Sequence, residues 1–298
     1  MIDLDPGLGG YLRMMAFFVV TVAAGFLLKR VARGLTTGHA AGAGSAQAAE
    51  TTASQATLRP LKAGIAQKLK AFAGFQILLL TLAYWTWIGF ATFLVILFAY
   101  SLMEIRALRV STGYPAGYGF RPLPAYGILV LFALAIVGYL FAASSDPMRG
   151  NPVLAFLFLL VAIFDGYSQI WGEILRGPKI TPRTSPGKTW SGFLCGLACC
   201  AAAACAGSLL VFPTPFPPAT PPDGIGRLLQ STIEIGLGVG ALAFLGDISA
   251  SWVKRRLGIK DFSALLGAQG GMLDRADSLL WLGPAYFIAV RYCHPFQY

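Results

Sequence analysis

Charged residues are scarce in this chain. Asp, Glu, Lys and Arg make up 12% of its 298 residues and hydrophobic residues 56%, whereas a soluble domain carries about 25% charged. That balance excludes an ordinary soluble globule and a disordered chain. Histidine is nearly missing: His39 and His294 lie far from each other and from any carboxylate cluster. The five cysteines form no CxxC, and Cys195, Cys199, Cys200 and Cys205 share one Ala-rich apolar run. A zinc or copper centre and a secreted disulfide scaffold are therefore excluded. No GxGxxG turn, GxSxG elbow or HExxH pair occurs, and the GKT at Gly187–Thr189 has Pro182 where a phosphate-binding loop needs glycine.

Long apolar runs are abundant instead. A helix needs about 20 residues to cross the hydrocarbon. The runs are Met14–Leu28, Ala71–Trp85, Gly89–Met103, Ala125–Ala143, Pro152–Trp171, Trp190–Phe212, Ile233–Val253 and Asp277–Tyr292. They predict an all-α, polytopic bundle of about eight transmembrane helices. Residues 1–33 read as a membrane anchor rather than a signal peptide, because Lys29 and Arg30 follow its apolar core. Residues 34–70 read as a low-complexity linker with a basic interfacial segment, and 71–298 as the main transmembrane domain. The Ala, Gly, Thr and Ser of 34–58 cannot bury a core.

The formal charge of +10 has a location. With the N-terminus outside, the inner segments hold seven basic residues at 29–70, three at 104–124, four at 171–189 and five at 254–275. Only Arg13, Arg149, Arg227 and Arg291 remain outside. The positive-inside rule therefore puts the polar loops in the cytoplasm, with a bacterial-type plasma (inner) membrane as the default.

Acids inside spans are expensive and mark function, which singles out Asp165 and Asp247. Glu104 and Glu234, at span ends, read as interfacial. Asp274 and Asp277 are three apart, so they share a face if a helix begins there. Like charges so placed call for a cation, and oxygen donors without His or Cys favour a hard one, Mg²⁺ first. Gly270–Gly271 lets backbone approach a ligand, and Lys254, Arg255, Arg256 and Lys260 offer positive charge to phosphates. A second basic loop, Gly177–Gly192, adds five hydroxyls and three basic side chains. The residues alone thus point to Mg²⁺-dependent phosphate chemistry on a lipid, with no nucleic acid.

At these positions the chain resembles the CDP-diacylglycerol synthase (phosphatidate cytidylyltransferase) family. One family motif is matched by Ser251, Lys254, Arg255, Lys260, Asp261, Gly270, Gly271, Asp274, Arg275 and Asp277. Another is matched by Ser185, Pro186, Lys188, Thr189 and Gly192. Where the family has Pro-Gly-His this chain has Gly267-Ala268-Gln269, and Ser191 replaces a glutamate, so it reads as a divergent member. The resemblance implies CTP and phosphatidate, or a related phosphorylated lipid, as substrates, and CDP-diacylglycerol and pyrophosphate as products. It implies metal binding by Asp247 and Asp274 with Asp277 in support, and a catalytic role for these with Lys254. Ser185, Lys188, Thr189, Arg255, Lys260, Asp261, Gln269, Gly270, Gly271 and Arg275 would bind substrate. A CTP-dependent lipid kinase, a non-catalytic scaffold and a homodimer all stay open at this point.

Overall fold

The computed structural model describes residues 6–38, 74, 76–82, 84–85, 87–111, 128, 130, 133, 135–136, 152–210, 225–263 and 270–292. The helices are α1 (Pro6–Gly38), α2 (Trp87–Ser111), α3 (Pro152–Leu175), α4 (Trp190–Leu210), α5 (Ile225–Arg256), α6 (Leu273–Ala276) and α7 (Leu282–Tyr292). The strands β1 (Lys179–Thr181) and β2 (Ser185–Thr189) lie between α3 and α4. Among the described residues, five helices are long and apolar enough to cross a membrane, over Leu8–Val31, Ile88–Ala107, Val153–Leu175, Trp190–Leu210 and Leu229–Arg256. Where residues of the expected spans at 71–85 and 125–143 are described, they are helical.

The most continuously apolar helix lies at the centre. All residues from Leu154 to Phe164 of α3 are buried, as suits a helix without a polar face. In hydrocarbon, apolar side chains gain little by leaving lipid for protein, so helices associate through close backbone packing. Small residues make that possible here. Gly192 of α4 leaves no room for a Cβ beside the Ser168 carbonyl oxygen of α3, and Gly196 packs on Ser168 and Phe164. Gly236 and Gly240 of α5 rest on Ala201 and Leu197 of α4. Helices α3, α4 and α5 thus form an up-down-up core. Helix α1 runs parallel to α3, tied by Tyr167 donating to the Thr21 carbonyl at 2.8 Å and by a Lys29–Glu173 ion pair at 2.5 Å. Outward apolar side chains such as Val20, Ile88, Leu194 and Leu210 face the lipid.

Three departures from the sequence reading have physical causes. Helix α1 continues to Gly38, past the expected boundary at residue 33, because nothing in Gly34-Leu35-Thr36-Thr37 breaks a helix already propagating. The rest of the linker, 39–70, lies outside the described residues, as do His39, His294 and Gln269.

The loop 177–192 holds a hairpin. Thr181 pairs with Ser185, and the Thr184 amide donates to the Thr181 carbonyl at 3.2 Å. Pro182 sits where a turn prefers proline.

The expected eighth span does not start at Asp277. That residue opens a 3-10 turn, Asp277–Leu279, and the helix after it has 11 residues, about 16 Å at 1.5 Å per residue. Pro284 explains the break. It has no N–H to give a helix running on from Asp277, but it is tolerated in the first turn of α7.

Candidate active site

The polar ends of α2, α3 and α5, the β1–β2 hairpin and residues 259–263 and 270–279 meet at one end of the bundle. Asp165 lies just past the middle of α3, and its Oδ2 accepts the Ser278 hydroxyl at 2.7 Å. Its Oδ1 is buried with no partner among the described residues. Asp247 lies on α5, where Oδ1 accepts from Ser251 Oγ at 3.3 Å and Oδ2 is ion-paired with Lys188. Lys188 arrives on β2. Burial alone would lower its pKa, but the charges of Asp247, Asp165 and Asp277 more than offset that and raise it. The ammonium stays charged.

Asp277 opens the 3-10 turn. Its Oδ1 accepts from the Ser278 amide at 2.8 Å, and its Oδ2 stands 4.0 Å from Lys254 Nζ. Burial, and next the charge of Asp247, push its carboxyl well above the usual range, against the pull of Lys254. Helix α5 can approach this turn because Gly246 has no side chain. A Cβ there would collide with the Asp277 carbonyl oxygen and press on Ser278.

Asp274, expected as a metal ligand, has both oxygens engaged. Oδ1 accepts from Lys254 at 2.7 Å, and Oδ2 accepts the amides of Phe262 and Gly271 at 2.8 Å each. Gly270 has φ +78°, and a Cβ there would come 2.7 Å from Asp274 Oδ2, so a side chain is excluded twice over. Lys254 lies over the Phe262 ring, 5.5 Å from its centroid. Helix α5 ends just beyond, at Gly258 with φ +71° and the Ile259 amide donating to the Lys254 carbonyl at 2.9 Å, the common left-handed stop.

The other expected substrate-binding residues divide. Arg275 is half-buried, close enough to act on the charge of Asp165, and its Nε has no partner among the described residues. Ser185 is half-buried at the start of β2. Thr189 caps α4, accepting the Gly192 amide at 3.1 Å, an N-cap bond. Ser191 Oγ accepts the Gly177 amide at 3.1 Å. Arg255 is exposed and donates to two carbonyls, Thr184 from Nε and Ile259 from Nη1, each at 3.1 Å, which ties the hairpin to the end of α5. Lys260 and Asp261 are exposed on the loop after α5. The bundle therefore brings together Asp165, Lys188, Asp247, Lys254, Asp274, Arg275 and Asp277. It adds Ser278, which carried no sequence signal beyond its place beside Asp277.

Among the described residues, no three His, Cys, Asp or Glu side chains already surround one ion position. The acidic groups are interleaved with ammoniums. Four aspartates face two lysines and an arginine, and one acceptor, Asp165 Oδ1, has no partner among the described residues. Such a site is suited to binding a polyanion only together with a cation.

A model of the cytidylyltransferase family matches residues 11–293 of this chain. The uncharacterised protein YnbB of Escherichia coli (strain K12) is 32% identical over 188 residues, 62% of this chain and 59% of that protein. The match thus spans less than two thirds of that relative. A phosphatidate cytidylyltransferase of Brucella abortus biovar 1 (strain 9-941) is 34% identical over 202 residues, 66% of this chain and 68% of its own. Another, from Haemophilus influenzae, is 33% identical over 135 residues, 45% and 44% of the two chains. No solved structure matches this chain.

Proposed function

The chain belongs to the cytidylyltransferase family, and from that membership we propose that it transfers a cytidylyl group from CTP to phosphatidate or a closely related phosphorylated lipid. The products would be CDP-diacylglycerol and pyrophosphate. A lipid phosphate oxygen forms a bond to the α-phosphorus of CTP while the bond from that phosphorus to the pyrophosphate oxygen breaks, the electron pair leaving with pyrophosphate. Such chemistry needs charge neutralisation and in-line placement rather than a protein nucleophile. The observation that carries the reading is the meeting of Asp165, Asp247 and Asp277 with Lys188 and Lys254 at one end of a membrane bundle.

The donor set fits a hard divalent cation, Mg²⁺ before others. All donors are carboxylate oxygens, and one of them, Asp165 Oδ1, is buried with no partner among the described residues. Asp165, Asp247 and Asp277 would hold the ion, with Asp274 as the anchor of the neighbouring turn. When bound, it supplies positive charge to the phosphates and the departing pyrophosphate. Lys188 and Lys254 present further charge to the phosphates, and Arg275, whose charge acts on Asp165, adds to it. Arg255 holds the hairpin that carries Ser185 and Lys188. The distribution of basic residues supports a site opening on the cytoplasmic face of the plasma membrane.

Purified protein given Mg²⁺, labelled CTP and phosphatidate should yield a CDP-lipid and pyrophosphate. A kinase would instead give CDP and a newly phosphorylated lipid. No CDP-lipid from any phosphorylated lipid, beside an active Brucella enzyme, overturns the reading. Gly246→Ala should lower the rate and, by overpacking, the unfolding temperature as well, because the added Cβ collides with the Asp277 carbonyl oxygen and moves Asp277 away from Asp247. A displacement of roughly 1 Å costs up to about 100-fold. An unchanged rate would show that the α5 contact does not set the site.

A further inference from the structure

Glu104 lies at the inner end of α2, far in sequence from every residue of the site, and is 5% exposed. A carboxylate so buried must find donors, and it finds them all in one place. Its Oε1 accepts the Ser263 hydroxyl at 2.7 Å and the Met272 amide at 2.7 Å, and its Oε2 accepts the Leu273 amide at 3.1 Å. Ser263 and Met272 belong to two separate stretches of the chain, 259–263 and 270–273. Asp274 holds the same two stretches, through the amides of Phe262 and Gly271. Two carboxylates from different elements therefore clamp these two stretches together. Gly271 completes the fit, since a Cβ there would sit 2.6–2.8 Å from the Glu104 carboxylate.

We infer that Glu104 is a positioning residue, setting the place of Asp274 and, through Lys254, of Asp277, without touching substrate. The path is short. Glu104 fixes the Met272 and Leu273 amides, and Asp274 follows in the same turn. Asp274 in turn accepts from Lys254 Nζ, whose other carboxylate neighbour is Asp277 at 4.0 Å. This inference rests on the functional reading of the acidic cluster given above.

Glu104→Gln is the test. An amide has one acceptor oxygen, so its NH₂ must face a backbone N–H, and the clamp opens on one side. In the full-length protein, amide hydrogen exchange at Met272 and Leu273 should quicken about 10-fold or more, the equivalent of a lost hydrogen bond to a charged group, while α3–α5 keep their protection. The rate of CDP-lipid formation should fall by about 10- to 100-fold, as for groups that orient a metal ligand, with KM for CTP within about twofold.

Gly271→Ala presses on the same carboxylate from the opposite side. Its effect combined with Glu104→Gln should be well below the product of the two single effects, the sign of a shared contact. Unchanged exchange at Met272 and Leu273, or exchange quickened equally across α3–α5, overturns the inference. So does quickened local exchange with a wild-type rate. If the wild-type protein forms no CDP-lipid, the functional reading fails, and exchange at Met272 and Leu273 still decides whether the clamp exists.

Discussion

Asp247→Asn abolishes CDP-lipid formation, by at least about 1,000-fold, the upper end of what losing one electrostatic stabiliser costs. The substitution keeps the shape of the side chain and its bond from Ser251, but removes the charge that pairs with Lys188 and faces Asp277. The loss is therefore one of charge, not of packing. Excess Mg²⁺ restores little, because Asp165 and Asp277 remain but the third anionic donor is gone. Calorimetric titration with Mg²⁺ plus a non-reactive CTP analogue should show binding weakened in parallel. The thermal midpoint stays close to wild type, since Asp165 still faces the Lys188 ammonium. More than a tenth of wild-type activity in Asp247→Asn would remove Asp247 from the reacting centre.

Sequence and structure agree where the signal is local. The all-apolar stretch Leu154–Phe164 and the small residues of α4 announce packed membrane helices, and basic residues mark one end of the bundle. The match between Lys254, Arg255, Asp274 and Asp277 and a family motif points to the acidic centre. What stayed hidden depends on groups far apart in the chain. Spacing puts Asp274 and Asp277 on a common turn, but it cannot show that backbone amides from 262 and 271 saturate Asp274 and leave Asp277 nearer the cluster. Nor can it show that Asp165, over a hundred residues upstream, reaches Ser278. Glu104 looked interfacial because a single acid at a span end has no period to read, and its donors are 159 to 169 residues away. The hairpin escaped because Ser-Pro-Gly-Lys-Thr has no alternation of apolar and polar residues.

Lys254→Met carries the largest expected loss of stability. One ammonium, 11% accessible, holds Asp274 Oδ1 at 2.7 Å and Asp277 Oδ2 at 4.0 Å, the two carboxylates being 3% and 13% accessible. Methionine fills the same volume but leaves two buried like charges facing each other. Breaking a buried pair from one side costs about 3–5 kcal/mol, or roughly 6–20 °C in the thermal midpoint for a chain of this size.

The loss depends on pH with a definite sign. Asp277 is already raised above its unfolded value by burial and by Asp247, and removing Lys254 raises it further. The folded state then binds a proton that the unfolded chain has released above pH about 4. Stability of the variant accordingly rises as pH falls toward the ordinary carboxylate range, whereas the paired wild type changes less. Adding Asp274→Asn removes one of the repelling charges while keeping an acceptor for the Phe262 or Gly271 amide. The double variant should recover part of the midpoint but none of the activity, because the positive charge offered to the phosphates is still missing. A Lys254→Met midpoint equal to wild type at pH 8 would mean that the Asp274 and Asp277 charges are compensated from elsewhere, and that Lys254 does not join the clamp to the acidic centre.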